Sequence, residues 1–190
     1  MIKENSVELT KQGIFYLKKG RTKDALEILE RAVKIDPKNF VAISNIGTVY
    51  TEMGKMKKAL KSFEQALEIN PDLSDAWSNK GTIYSAMNKH DEALLCLNKA
   101  LGLQGDDVVA MNSKAITLEK LDRNNEALEI LDKTLIIEPK YVTALLNKAN
   151  TLNRLERKDE AIETFERILE LEPKNLIALI GSGRLRSKKK

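Results

Sequence analysis

Prolines stand at 37, 71, 139 and 173, and their separations are 34, 68 and 34 residues. The position that would complete the series holds Gly105. Ala25, Ala59, Ala93, Ala127 and Ala161 keep the same interval. So do Gly13, Gly47, Gly81, Ala115 and Ala149, and also Ala32, Ala66 and Ala100, continued by Thr134 and Ile168. Five units of 34 residues therefore run from Ser6 to Asn175 without insertion or deletion. A unit this short cannot bury an apolar face alone and must stack on its neighbours.

Each unit reads as two helices. In the second unit Val41, Ile43, Ile46, Val49 and Tyr50 recur at helical spacing until Gly54. A second amphipathic run then extends from Met56 to Ile69 and ends at Asn70-Pro71. Proline lacks an N–H and disfavours helix at the residue before it, which sets the turn into the next unit. Small residues on both helices allow a close approach. The junction Leu101-Gly102-Leu103-Gln104-Gly105 has two glycines and no proline, which predicts the softest joint of the stack. Leu176 to Ile180 begins a sixth first-type helix that Gly181 and Gly183 are expected to weaken, leaving a short cap.

These residues resemble the tetratricopeptide repeat, W-x2-L-G-x2-Y…A-x3-F…P. The third unit supplies Trp77, Gly81, Tyr84, Ala93 and Leu97; the second supplies Ile46, Gly47, Tyr50, Ala59, Phe63, Ala66 and Pro71. The Asn-Lys-Gly and Asn-Lys-Ala at 79–81 and 147–149 look like the variety common in prokaryotic, particularly archaeal, repeat proteins. The resemblance implies an all-α, right-handed superhelix of five helix-turn-helix repeats with a short C-terminal capping helix. A single domain over 1–190 is expected, with repeats at 6–39, 40–73, 74–107, 108–141 and 142–175 and a cap and basic tail at 176–190. Lys80, Lys114 and Lys148 take a position where the family usually has leucine; their stems can pack while the ammonium reaches water.

Composition fits a folded chain, with 42% apolar and 32% charged among 190 residues. No stretch approaches the roughly 18 consecutive apolar residues of a membrane span. The start, Met1 to Asn5, lacks the apolar run of a secretory signal. One cysteine, Cys96, forms no internal disulfide and suits a reducing compartment, so a cytoplasmic location is expected. The net charge of +4 belongs to the end of the chain: residues 176–190 carry five cations and no acid, and the remainder sums to −1.

Catalytic constellations are wanting. His90 reads as a solvated side chain in the turn before a second-type helix, and Cys96 as a structural thiol with no ligand spacing around it. Carboxylates such as Glu27 and Glu163 sit four residues from Arg31 and Arg167, as ordinary helix pairs. No phosphate loop or nucleophile elbow is present. No enzyme activity, metal or cofactor is expected.

In the resembled family the first helices line a concave groove that receives an extended peptide or a partner helix. Mapped residue by residue, that groove takes Lys11, Asn45, Thr48, Ser78, Asn79, Thr82, Asn112, Asn147, Asn150 and Arg154. Asn45, Asn79 and Asn147 share one repeat position, with Asn112 one residue away. Such amides can pair with peptide N–H and C=O groups as a ladder, or can simply form a solvated face. The carboxylate clamp of chaperone adaptors is absent in every three-unit frame.

Lys18, Lys19, Arg21, Lys23, Lys55, Lys57 and Lys58 cluster at the turns of the first two units. They read as cations complementing helix C-termini, a trend that Lys120, Arg123, Arg154, Arg157 and Lys158 repeat. No aromatic residue interleaves the run, which disfavours a nucleic-acid partner. Lys188 to Lys190 read as a solvated tail. The expectation is an adaptor or scaffold binding a protein or peptide in its groove. The alternatives are a homo-oligomer through the terminal helices, or anion or RNA binding at the basic edge.

Overall fold

The computed structural model describes residues 5–187. Those residues form eleven helices and no strand. The first-type helices are α1 (Ser6–Lys18), α3 (Phe40–Glu52), α5 (Ser74–Ala86), α7 (Val108–Lys120) and α9 (Val142–Arg154), each of 13 residues. The second-type helices are α2 (Thr22–Ile35), α4 (Met56–Ile69), α6 (His90–Leu103), α8 (Asn124–Ile137) and α10 (Lys158–Leu171), each of 14. Both series advance in steps of 34, as the sequence period demands. The chain divides into two compact units, Met1–Gln104 and Gly105–Lys190, at the junction that lacks proline.

Within the first unit α1, α3 and α5 touch in succession, and each packs on the second helix of its own pair. In the second unit α7 touches α9, and α10 packs on both α9 and α11. A large side chain pressed on a small residue closes the pairs. The Phe63 ring is fully buried, and a Cβ at Gly47 would lie 2.8 Å from it. Burying such a ring is worth about 1.5–3 kcal/mol. That gain requires the missing side chain at Gly47.

The turn inside each pair is left-handed at one residue. Gly20, Gly54, Asn88, Asp122 and Glu156 occupy it, all at φ between 56° and 71°. Glycine adopts this backbone freely, Asn and Asp tolerate it, and glutamate is strained there. The turn between pairs is extended: Asp36, Asn70, Gln104, Glu138 and Glu172 have φ between −127° and −138°. Gln104 keeps this geometry with Gly105, not proline, after it.

The C-terminal helix differs from expectation. α11 (Leu176–Ser187) passes through Gly181 and Gly183 and ends seven residues beyond Ile180. Packing compensates the weak helix propensity, because Ala178, Ser182 and Leu185 are buried and Arg186 pairs with Glu166 of α10. A Cβ at Gly181 would meet the Phe165 ring at 2.5 Å. The reading of Lys188 to Lys190, and the polar start at Met1 to Glu4, lie outside the described residues.

Candidate functional site

Ten residues were mapped to the first-helix surface, and they divide by unit. In the first unit Lys11 is exposed and pairs with Glu8 on its own helix at 3.0 Å. The Asn45 amide donates to the Val41 carbonyl at 2.8 Å, so its N–H₂ turns back on α3. Thr48 reaches the Ser44 carbonyl only at 3.5 Å. Ser78 is buried, and its carbonyl accepts from the exposed Thr82 hydroxyl at 3.1 Å. Asn79 is half-buried on α5.

In the second unit the amides meet. Asn147 Nδ2 on α9 donates to Asn112 Oδ1 on α7 at 2.8 Å. Asn112 is buried and Asn147 half-buried. One turn on, the Thr151 hydroxyl bonds the Glu119 carboxylate and lies 2.9 Å from the Asn147 carbonyl. Asn150 and Arg154 are exposed on the same helix. Asn150 and Asn153 line a cavity of about 410 Å³ with Phe165, Gly181, Arg184 and Leu185. Its polar groups are two amides and one guanidinium, and its apolar part includes the Phe165 ring. The sequence signal for this cavity was Gly181, which stands where three other units carry asparagine.

Spacing alone missed a second amide. Asn39 Oδ1 caps α3 by accepting from the Ala42 N–H at 3.0 Å. Its Nδ2 donates to Ser6 Oγ and Thr10 Oγ1 on α1 at 2.7 and 3.0 Å. An N-cap asparagine before a first helix was the available signal.

Two electrostatic expectations are corrected. Arg21, Lys55, Arg123 and Arg157 are N-cap residues of second helices, not last-turn residues of first helices, and Lys89 holds the same place in the third repeat. Lys18, Lys120 and Arg154 do end their helices as expected. Aromatic rings also back the basic cluster. Lys19 lies over Phe15 at 5.8 Å, Arg21 over Tyr16 at 4.5 Å, and Lys55 and Lys58 over Tyr50 at 6.0 and 5.5 Å. The helical turn brings together residues that a linear run keeps apart.

The interior lysines behave unequally. Lys80 pairs with Glu64 at 3.1 Å and Lys148 with Asp132 at 2.7 Å. Burial, with Lys133 and Arg123 nearby, holds the Lys114 ammonium below its ordinary range. Cys96 is buried, and burial pushes its thiol up. His90 is half-buried, not solvated; its Nδ1 is shielded without a hydrogen bond at the first position of α6. Among the described residues, no group of three or more His, Cys, Asp or Glu could hold a metal ion. No helix among them is long and apolar enough to cross a membrane.

Paired helices of 13 and 14 residues, repeated every 34, define a helical repeat protein. Tetratricopeptide repeat profiles match residues 39–105 in one form, and 16–61 and 120–181 in another. The chain belongs to the tetratricopeptide repeat family, in general a non-catalytic interaction fold. No curated protein matches it. Among solved structures, PilF of Pseudomonas aeruginosa superposes with a TM-score of 0.86 at 20% identity, covering 96% of this chain and 83% of that one. TTC0263 of Thermus thermophilus gives 0.77 at 19% identity, covering 95% and 98%. YrrB, described as a repeat protein with an unusual peptide-binding site, gives 0.72 at 22% identity, covering 100% and 94%.

Proposed function

We propose that the protein is a non-catalytic adaptor that holds an extended peptide or partner helix against its first-helix surface. The observation that carries this reading is the cavity beside α9. Amides from Asn150 and Asn153 offer donors and acceptors for a peptide backbone. Arg184 supplies a fork for a carboxylate, and the Phe165 ring an apolar seat. Asn150, Asn153, Arg154 and Arg184 are the residues proposed to touch the partner, while the buried Asn112 holds the surface from beneath through its bond to Asn147. YrrB, a protein of the same fold, is described as having a peptide-binding site, which supports a peptide ligand as the class of partner.

The test compares captures from native lysate by the wild-type chain and by an Asn150→Ala/Asn153→Ala/Arg184→Ala variant. Partners held by the first and lost by the second support the surface. Identical captures overturn it.

Self-association is a second reading, favoured by one observation. α11 exposes Leu176, Ile177, Leu179 and Ile180, from 45% to 71% of each side chain. Light scattering across a concentration series decides it, with Ile177→Glu/Ile180→Glu expected to hold the mass at that of one chain.

A further inference from the structure

The second helices share a device at their start. In four of the five repeats the N-cap cation is clasped by an acid three residues later. The pairs are Arg21–Asp24 at 2.7 Å, Lys89–Glu92 at 3.7 Å, Arg123–Glu126 at 2.6 Å and Arg157–Glu160 at 2.6 Å. The acid also faces the positive end of the helix dipole. In the second repeat the acid is replaced by Lys58. α4 therefore begins with Lys55, Lys57 and Lys58, and its first turn holds no acid. Three ammonium groups stand where the helix dipole opposes them.

The same edge gathers more positive charge. α1 and α3 touch, and Tyr16 and Leu17 near the end of α1 pack on the same apolar cluster as Met53 at the end of α3, which brings the two C-terminal turns together. Lys18 and Lys19 end α1, and Arg21 and Lys23 begin α2. The acids at this edge are Asp24, already clasped by Arg21, and Glu52 at the end of α3. Rings hold several of the cations in place: Tyr50 under Lys55 and Lys58, Phe15 under Lys19, Tyr16 under Arg21. Phe15 is 56% exposed, whereas Val49, Ile83, Thr117 and Thr151, at its position in the other repeats, are at most 2% exposed.

We propose that this edge of the first two repeats docks an acidic protein segment, with an apolar side chain of that segment resting on Phe15. A flexible run of carboxylates suits six lysines, which act as hydrated point charges. A single-stranded nucleic acid suits the edge less well. Tyr16 and Tyr50 are half-buried with their own cations over them, and base stacking needs successive open rings.

The decisive variant is Lys58→Glu, which restores the clasp of the other repeats. It is expected to raise the melting temperature while weakening binding. Fluorescence anisotropy would follow a labelled oligo-glutamate peptide containing one phenylalanine, and an oligo-uridine of equal charge. The wild-type chain is expected to bind the peptide in preference, with affinity falling about tenfold as salt rises toward physiological strength. Lys58→Glu and Lys55→Gln/Lys57→Gln are each expected to cost about tenfold. Loss of peptide binding in Asn150→Ala/Arg184→Ala with none in Lys58→Glu would put the peptide on the first-helix surface and overturn the proposal. The proposal is overturned if the wild type shows no salt-sensitive peptide binding, if oligo-uridine binds more tightly, or if Lys58→Glu binds unchanged.

Discussion

The side-chain amides of Asn112 and Asn147, 35 residues apart in sequence, meet in a 2.8 Å hydrogen bond that ties α7 to α9. The bond spends part of the capacity of an amide ladder on holding the surface together. Asn112 is only 6% exposed, so removing its partner leaves a shielded acceptor unpaired. Asn147→Ala is expected to cost about 1–2 kcal/mol, read by urea unfolding. Asn150→Ala, on an exposed position of the same helix, is expected to change stability by less than about 0.5 kcal/mol. Equal losses in the two variants would refute the structural role of the pair.

Phe165 and Gly181 set the packing of the last helix. A Cβ at 181 would fall 2.5 Å from the ring, and overpacking of this kind costs about 1–3 kcal/mol. Gly181→Ala is therefore expected to destabilise, although alanine is the better helix former. Gly183, with open space around its Cβ position, provides the control. Gly183→Ala is expected to stabilise by about 0.5–1 kcal/mol. Calorimetry of both variants checks the opposite signs.

Glu156 holds a left-handed backbone at φ 58°, the position that glycine fills in the first two repeats. The left-handed region costs a side-chain-bearing residue about 1 kcal/mol. Its ion pair with Lys158 at 3.0 Å is largely exposed on the glutamate side and offsets little of that cost. Glu156→Gly is expected to raise the melting temperature by about 2–4 °C. A fall in melting temperature would show that the strain is absent.

Lys114 links stability to pH. Burial, with help from Lys133 and Arg123, makes its ammonium harder to hold in the folded chain than in the unfolded one, whose value is 10.5. The unfolded chain thus binds more protons in the window just below 10.5, and stability rises with pH there. The penalty is complete at neutral pH and lifts as the amine deprotonates. Lys114→Met is expected to stabilise at pH 7, with a gain that shrinks as pH climbs through that window. Denaturant midpoints at several pH values measure the difference between the two chains.

Sequence alone carried the helix pairs and their bounds, because period and turn chemistry are local. Both helix series step by 34, and each inter-pair turn falls where Pro37, Pro71, Pro139 and Pro173 predict it. At Gln104 the extended turn survives without proline, since the residue's own backbone geometry suffices. The length of α11 was not legible: glycine propensity argued for an early stop, and packing on α10 outweighed it. His90 was misread because an N-terminal helix position can tuck a ring inward, which spacing does not disclose.

The 34-residue period by itself determined what this protein is, since a short amphipathic helix pair has no stable alternative to stacking on copies of itself. Only the tertiary structure decided which groups meet. It paired Asn147 with Asn112 but turned Asn45 onto its own helix. It also set Lys55 and Lys58 over Tyr50. Residues at one repeat position share a helical face, but partners are chosen by distances of a few ångströms between neighbouring helices. Those distances depend on the size of every side chain packed beneath them.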